Sequence, residues 1–204
     1  MPEKMASRSE ILDAVRRLHK PAADLPALDA DWITYPDRIR QFAETLHGVG
    51  GLCLEVGDEQ QLRDELNRLD QVKSAKKTCS LISNLLTGGV DLAAVADPHD
   101  LEDIDVAVVP GQFGVAENAA IWVTDESLRH RAILFIPQHL VLVVKRDEVL
   151  DNMHQAYERL RFEGRGFGVF ISGPSKTADI EQSLVIGAHG PRSLTVFLLG
   201  KHLG

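Results

Sequence analysis

The chain has 204 residues, with 30 acidic side chains, 22 basic ones and a formal net charge of −8 at pH 7. This length suits one sizeable core, and a hydrophobic fraction of 44% argues against a chain that is mostly disordered. The negative charge disfavours partners such as nucleic acid or an anionic membrane surface, because both carry charge of the same sign.

Targeting and redox features are sparse. Met1–His19 mixes charges and lacks the apolar stretch of a secretory signal, and the longest apolar runs, Leu140–Val144 and Val196–Leu199, are too short to span a membrane. Cys53 and Cys79 are the only cysteines, so the chain alone lacks the thiolate set that an iron–sulfur cluster usually requires. We therefore expect a cytoplasmic protein with no membrane span, no metal site, and no cofactor bound by this chain alone.

The first predicted element is a helix from Ser7 to His19. Ser7 and Glu10 have the spacing of a capping box, and apolar side chains from Ile11 to Leu18 recur on one face. Lys20–Asp31 contains two prolines and no periodic pattern, which predicts an extended linker. Residues 1–31 would then form an arm that packs either on the main body or on a second subunit, as in a homo-oligomer.

The main body is predicted over residues 32–204. Helices are expected after Asp37 and Asp58, from Asp147 to Leu160 and over Thr177–Ile186; strands are expected over Leu52–Val56, Val106–Val109, Ala120–Thr124, Ala132–Ile136, Leu140–Val144, Phe167–Ile171 and Leu194–Leu199, while Thr78–Leu86 is undecided. This alternation predicts an α/β fold, a three-layer sandwich with helices on both faces of a mainly parallel sheet. The strands between Val106 and Val144 follow one another without helices, which predicts an antiparallel hairpin or meander added to that sheet.

The most informative segment follows the strand at Ile171. Ser172, Gly173, Ser175, Lys176 and Thr177 form a loop of small and polar residues that leads into the predicted helix. A helix N-terminus exposes unpaired N–H groups, and the loop adds hydroxyls and an ammonium, so the segment is a candidate site for a small carboxylate. The alternative is that Ser175 or Thr177 only caps the helix. The spacing of a Walker loop is missing.

The run SGPSKTADIEQSLVIGAHGPRSLTVFLL, residues 172–199, resembles the C-terminal signature of the LUD-domain, lactate-utilisation protein C family. Residues 113–123 resemble the family's AETGT-type segment, with Asn118-Ala119-Ala120 in place of Thr-Gly-Thr, and Leu134–Val144 resembles a further family strand. The resemblance implies a fold similar to the NagB/RpiA/CoA-transferase-like group. It also implies a role in the oxidation of L-lactate to pyruvate beside partner proteins that carry the iron–sulfur clusters.

Three further residues are candidates for a site. Glu117 lies between a glycine-containing turn and a strand, where it can act as a general base or nucleophile, or else cap backbone N–H groups or pair with Arg131. His139 precedes an apolar strand and is either a site residue or a hydrogen-bonded core histidine. Arg192 can hold a substrate carboxylate or form a surface ion pair.

These residues lead to three functional hypotheses: a subunit of an iron–sulfur-linked lactate-oxidising system, a stand-alone transferase or small-carboxylate or acyl-CoA-binding enzyme that uses Glu117, and a non-catalytic assembly subunit. In a parallel sheet, loops after the strands gather at one edge. We therefore predict that Glu117, His139 and the loop from Ser172 to Thr177 share one crevice. In that crevice Glu117→Gln should impair lactate-dependent growth and leave thermal stability nearly intact.

Overall fold

The computed structural model describes residues 7–18, 24, 30–126, 128–160, 166–177 and 185–200. The chain divides into two compact units, Met1–Asp31 and Trp32–Gly204. In the first unit, helix α1 spans Arg8–Arg17, and the predicted capping box is confirmed because Ser7 and Glu10 bond each other's backbone N–H groups. Most of the predicted linker lies outside the described residues. None of the described helices is long and apolar enough to cross a lipid bilayer.

The second unit contains four helices and eleven strands among its described residues. The helices are α2 (Arg38–Gly48), α3 (Glu59–Arg68), α4 (Asp70–Ser74) and α5 (Met153–Arg159). The strands are β1 (Leu52–Val56), β2 (Thr78–Ser80), β3 (Val106–Pro110), β4 (Phe113–Val115), β5 (Ala120–Thr124), β6 (His139–Lys145), β7 (Val149–Leu150), β8 (Gly168–Ile171), β9 (Lys176–Thr177), β10 (Val185–Ile186) and β11 (Ser193–Leu199). Asp37 and Asp58 cap α2 and α3 as predicted.

A five-stranded parallel sheet forms the centre of this unit, in the order β1-β11-β6-β3-β2. Its inner strands β11, β6 and β3 are runs of buried apolar residues, as is typical of a sheet that is covered on both faces. Leu62 and Leu66 of α3 pack against one face, beside Val141 and Phe197. The α/β class and the mainly parallel sheet are therefore confirmed.

A second sheet, in the order β7-β4-β5-β8, covers the other face together with α2. Strands β4, β5 and β8 are antiparallel neighbours, and β7 pairs with β4 in parallel. The predicted antiparallel hairpin is thus present, but it belongs to a separate sheet and does not extend the parallel one. The reason is that β8 pairs with β5 through Ile171 and Ile121 and not with any strand of the parallel sheet.

Two predicted elements near this sheet need correction. Ala132–Ile136 is not a strand: residues Arg131–Leu134 form a 3-10 turn whose buried Ile133 and Leu134 enter the core. The helix predicted from Asp147 begins only at Met153, because Val149–Leu150 pairs with β4 as β7. In both cases a short apolar run fits two backbone conformations, and the pairing partner decides between them.

The helix predicted over Thr177–Ile186 is wrong at both of its ends. Lys176–Thr177 pairs with Val185–Ile186 as a short antiparallel ladder, β9 with β10. Threonine, valine and isoleucine favour extended backbone because they are branched at Cβ, and three such residues make up most of this ladder. Residues 178–184 lie outside the described part of the chain.

Candidate functional site

A cavity of about 250 Å³ lies beneath the loop that follows β8. Its floor is apolar: Leu134, Leu140 and Leu194 are each only 1% exposed. Its mouth is polar, because Ser172 and His189 are exposed and Ser175 is half-buried. The described residues that line it are Leu134, Phe135, Leu140, Val169, Phe170, Ile171, Ser172, Gly173, Pro174, Ser175, His189, Gly190, Pro191 and Leu194. Clefts with an apolar lining and a few converging polar groups are the usual form of small-molecule sites.

The first loop of the mouth is held in place from both sides. The Ser172 hydroxyl donates a hydrogen bond to the Asn118 carbonyl oxygen at 2.7 Å, which ties the loop to the turn between β4 and β5. Gly173 has φ +74°, and a Cβ atom there would lie 2.9 Å from the Val49 carbonyl oxygen. Glycine is therefore required at this position by both its conformation and the close approach of α2.

The second loop of the mouth connects β10 to β11. The Ser175 N–H group donates to the Pro191 carbonyl oxygen at 2.9 Å, and the Gly187 N–H group donates to the Ser175 carbonyl oxygen at 2.9 Å. Gly190 lies so close that a Cβ atom there would be 3.2 Å from the Ser175 hydroxyl oxygen. These contacts fix the two loops against each other, and the Ser175 side chain lies beside the backbone of Gly190.

Of the five residues predicted in the first loop, the structure places three on the cavity. Ser172, Gly173 and Ser175 line it, whereas Lys176 and Thr177 belong to β9 and do not. The Thr177 hydroxyl instead lies 3.4 Å from Nδ1 of His189. Because Thr177 is in a strand, the helix N-terminus that was expected to bind an anion does not begin there.

Glu117 lies between β4 and β5 and is not among the described residues that line the cavity. Its exposed carboxylate accepts a hydrogen bond at 2.9 Å from the N–H group of Met153, the first residue of α5, and its own N–H group donates to the Asp151 carbonyl oxygen. This geometry matches the alternative in which the Glu117 carboxylate caps backbone N–H groups. The negative charge also interacts favourably with the dipole of α5 at its N-terminus. Arg131, the other candidate partner, pairs with Asp125.

His139 and Arg192 lie at the amino edge of the parallel sheet and outside the cavity lining. Nδ1 of the half-buried His139 lies 2.8 Å from the Ser193 hydroxyl, and the Arg192 N–H group donates to the Gln138 carbonyl oxygen at 2.7 Å. Burial, and then the charge of Arg192, lower the pKa of His139 below its usual range, while Asp105 opposes this. The neutral, hydrogen-bonded histidine is the second of the two alternatives left open by the sequence.

The shared crevice was predicted from loops that gather at the carboxyl edge of the parallel sheet, and the structure brings these residues together in a different way. Ser172 follows β8 of the second sheet and lines a cavity with Leu140 and Leu194, which lie near the amino ends of β6 and β11 and not at the carboxyl edge of the parallel sheet. The Ser172 hydroxyl bonds the carbonyl group of Asn118, the neighbour of Glu117, and His139 begins β6 at the amino edge, one residue before Leu140 of the cavity floor. The functional roles of these residues remain predictions.

Sequence reasoning did not assign a role to several residues of the cavity. His189, Gly190 and Pro191 lay within the family-like run of residues 172–199 but received no role, and Leu134 and Phe135 were placed in a strand. The signal that could have found them is that residues 134–144 and 172–199 both resemble one family. Parts of these two segments meet around the cavity.

The two cysteines do not line this cavity, and they lie on different strands. Cys53 lies in β1 and Cys79 in β2, the two opposite edge strands of the parallel sheet. Burial raises the pKa of each thiol to about 12, with a smaller contribution of Glu55 at Cys53. Among the described residues there is no group of three His, Cys, Asp or Glu side chains that could hold a metal ion.

Comparisons with known proteins match the segment that contains the cavity to a protein family. A family model described as the LUD domain matches residues 90–199. The uncharacterized protein YkgG of Escherichia coli is 26% identical over 149 residues, which cover 69% of this chain and 62% of that protein. Lactate utilization protein C of Bacillus pumilus is 36% identical over 96 residues, which cover 44% of this chain and 40% of that protein. The chain thus matches only part of the length of these relatives.

A solved structure supports the fold. The crystal structure of a DUF162 family protein from Deinococcus radiodurans superposes with a TM-score of 0.54 and covers 80% of this chain and 96% of that one. Its sequence identity is 14%, so the likeness concerns the fold alone.

Proposed function

Since the chain belongs to the LUD-domain family, we propose that it acts as a lactate-utilisation protein C-like subunit that supports the oxidation of L-lactate to pyruvate. The similarity to proteins named lactate utilization protein C, from Bacillus pumilus, Shouchella clausii and Geobacillus kaustophilus, supports this role. The small carboxylate lactate would be the substrate of the assembled system.

The single observation that carries the proposal is the cavity beneath residues 172–175. Two segments far apart in sequence, around Leu134 and after Ser172, fold together to line it, and both lie within the matched LUD domain. A half-open cavity with a buried apolar floor and serine and histidine at its mouth is suited to hold and orient a small molecule.

The proposal includes partner proteins that carry the iron–sulfur clusters. The residues of this chain do not fit a resident cluster, because Cys53 and Cys79 lie on opposite edge strands and are held as protonated thiols by burial. The electrons would then travel through partners, in the cytoplasm. Self-association through α1 remains a further prediction, which light scattering of the full chain against one without residues 1–31 can test.

The experiment is growth of the source organism with the gene deleted. The deletion strain is expected to grow normally on pyruvate and poorly on L-lactate, and the restored gene should recover growth on lactate. Purification of the tagged chain from lactate-grown cells should bring down iron-containing partners. Unchanged growth of the deletion strain on L-lactate would contradict the proposal.

The alternative of a stand-alone transferase that uses Glu117 as nucleophile finds less support. The carboxylate of Glu117 is exposed, is engaged by the Met153 N–H group and lies outside the cavity lining. A nucleophilic carboxylate needs a desolvated position next to its substrate.

A further inference from the structure

The charge of the cavity is the first clue to the chemistry of its ligand. Among the described residues of its lining there is no lysine, arginine, aspartate or glutamate. Lys176 and Arg192 lie nearby in sequence, but both are exposed and neither lines the cavity. His189 is the one ionisable side chain among the described lining residues, and it lies exposed at the mouth. A carboxylate on the apolar floor would therefore lose its hydration without an ion pair there, and burying a charge without a partner is costly.

The size and the floor of the cavity are the second clue. A volume of 250 Å³ corresponds to about eight water molecules at their share of the liquid. Lactate is a carboxylate and a hydroxyl with one methyl group, so it would leave most of the leucine floor without contact. A ligand that fills the cavity needs an apolar body, whose burial contributes about 25 cal/mol for each Å² removed from water.

The hydroxyls at the mouth are the third clue. The Ser172 hydroxyl already donates to Asn118, so it has only acceptor capacity left. The Ser175 backbone is fixed by two hydrogen bonds, and none of the described residues is a hydrogen-bond partner of its hydroxyl. Ser175 is therefore a positioned donor at the edge of an apolar cavity, suited to the oxygen of a carbonyl group.

From these three features we propose that the cavity binds the ring of an uncharged, quinone-like carbonyl compound and not the lactate anion. The apolar ring lies on the floor formed by Leu134, Leu140 and Leu194, and a carbonyl oxygen accepts a hydrogen bond from Ser175. The redox role of such a ligand rests on the proposed function. Lactate gives up two electrons and two protons to become pyruvate, and the quinone takes up two electrons and two protons to become the quinol. The iron–sulfur partners carry the electrons between them.

The test is calorimetric titration of the purified full chain with three probes. Duroquinone is an uncharged quinone whose four methyl groups prevent reaction with Cys53 or Cys79. The anion 2,4,6-trimethylbenzoate has a ring of similar size, and L-lactate is the third probe. Duroquinone should bind saturably with one site per chain, the benzoate at least about tenfold more weakly, and lactate should not compete.

Two variants locate the site. Ser175→Ala should weaken duroquinone binding about fivefold, the equivalent of one lost hydrogen bond. Val169→Phe adds a ring to the half-buried wall and should weaken binding more than about tenfold by filling the cavity. Ser74→Ala, which removes an exposed hydroxyl at the end of α4, is the matched control and should bind as the unchanged protein does.

The proposal is overturned if duroquinone shows no saturable binding, if the benzoate or lactate occupies the same site with equal or greater affinity, or if Ser175→Ala binds duroquinone normally. Should Val169→Phe fail to fold, Ser175→Ala still decides. The growth experiment tests the proposed function separately. If the deletion strain fails to grow on lactate but the protein does not bind duroquinone, only this inference is contradicted. If the protein binds duroquinone but the deletion strain grows normally on lactate, only the proposed function is contradicted.

Discussion

Glu117 offers the sharpest test of whether this chain uses a catalytic carboxylate. The substitution Glu117→Gln keeps the size of the side chain and an acceptor oxygen but removes the negative charge. A hydrogen bond to a charged acceptor contributes about 1.5–3 kcal/mol and one to a neutral acceptor about 1 kcal/mol. The bond to the Met153 N–H group, at 2.9 Å, is of the first kind.

The charge also interacts with the first turn of α5, an effect of about 0.3–1 kcal/mol at an exposed helix N-terminus. Because α5 has only seven residues and Glu117 is exposed, we take the lower part of both ranges. Glu117→Gln should therefore lower the free energy of unfolding by about 1 kcal/mol, and Glu117→Ala, which removes the acceptor as well, by about 2 kcal/mol.

Urea and thermal unfolding followed by circular dichroism measure these changes, and a loss of 1 kcal/mol corresponds to about 3 °C in Tm for a domain of this size. Glu126→Gln, in the turn after β5, is the matched control and should leave stability unchanged. If Glu117→Gln is as stable as the unchanged protein but abolishes growth on lactate, the capping interpretation is refuted and Glu117 is a functional carboxylate after all.

Three other substitutions test the fold. Gly111→Ala should cost about 2 kcal/mol in urea unfolding, because its Cβ atom would lie 2.6 Å from Cγ2 of Ile121 and 2.8 Å from Cγ2 of Val144; equal midpoints would contradict this packing. The pKa of His139 is lowered in the folded chain, so its contribution to the free energy of unfolding is complete above the unfolded pKa of 6.5 and is lost as the pH falls through the folded pKa. The variant His139→Gln should therefore lose less stability than the unchanged protein between about pH 7.5 and pH 5. Asp105 accepts hydrogen bonds from two successive backbone N–H groups, which lower its pKa. The variant Asp105→Asn should lower the free energy of unfolding by about 1–2 kcal/mol at neutral pH, and the two proteins should be equally stable well below pH 3.8. A pH-independent difference would contradict the last two.

Much of the fold could be predicted from the sequence because local signals and the final contacts agree. Asp37 and Asp58 cap their helices, and the strands at Leu52–Val56 and Ala120–Thr124 have the predicted bounds. These segments carry strong helix caps or clear apolar runs, and the tertiary contacts around them preserve the secondary structure that the local sequence favours.

The candidate site was harder to predict because it depends on which strands pair. Phe167–Ile171 has the composition of a strand in either sheet, and it pairs with β5 of the second sheet. The loop after it therefore lines a cavity near the amino ends of β6 and β11, where the sequence predicted the carboxyl edge of the parallel sheet. The β-branched residues of β9 and β10 favour extended backbone, but strands of two residues are too short to be recognised before their pairing is known. Glu117 was placed beside the loop, but no local pattern reveals that α5 begins where its carboxylate can reach.

The order of the parallel sheet has a consequence for how the chain reaches its native state. Strand β11 lies between β1 and β6, and Leu52 of β1 pairs with Thr195 of β11, a partner that lies far along the chain. Until β11 arrives, β1 has no neighbour in the sheet and one side of β6 is an open edge of apolar residues. Pairings of such long range delay folding, and unpaired edges promote aggregation. Folding of this sheet during synthesis should therefore wait for residues 193–199, and the incomplete chain should depend on chaperones in the interval.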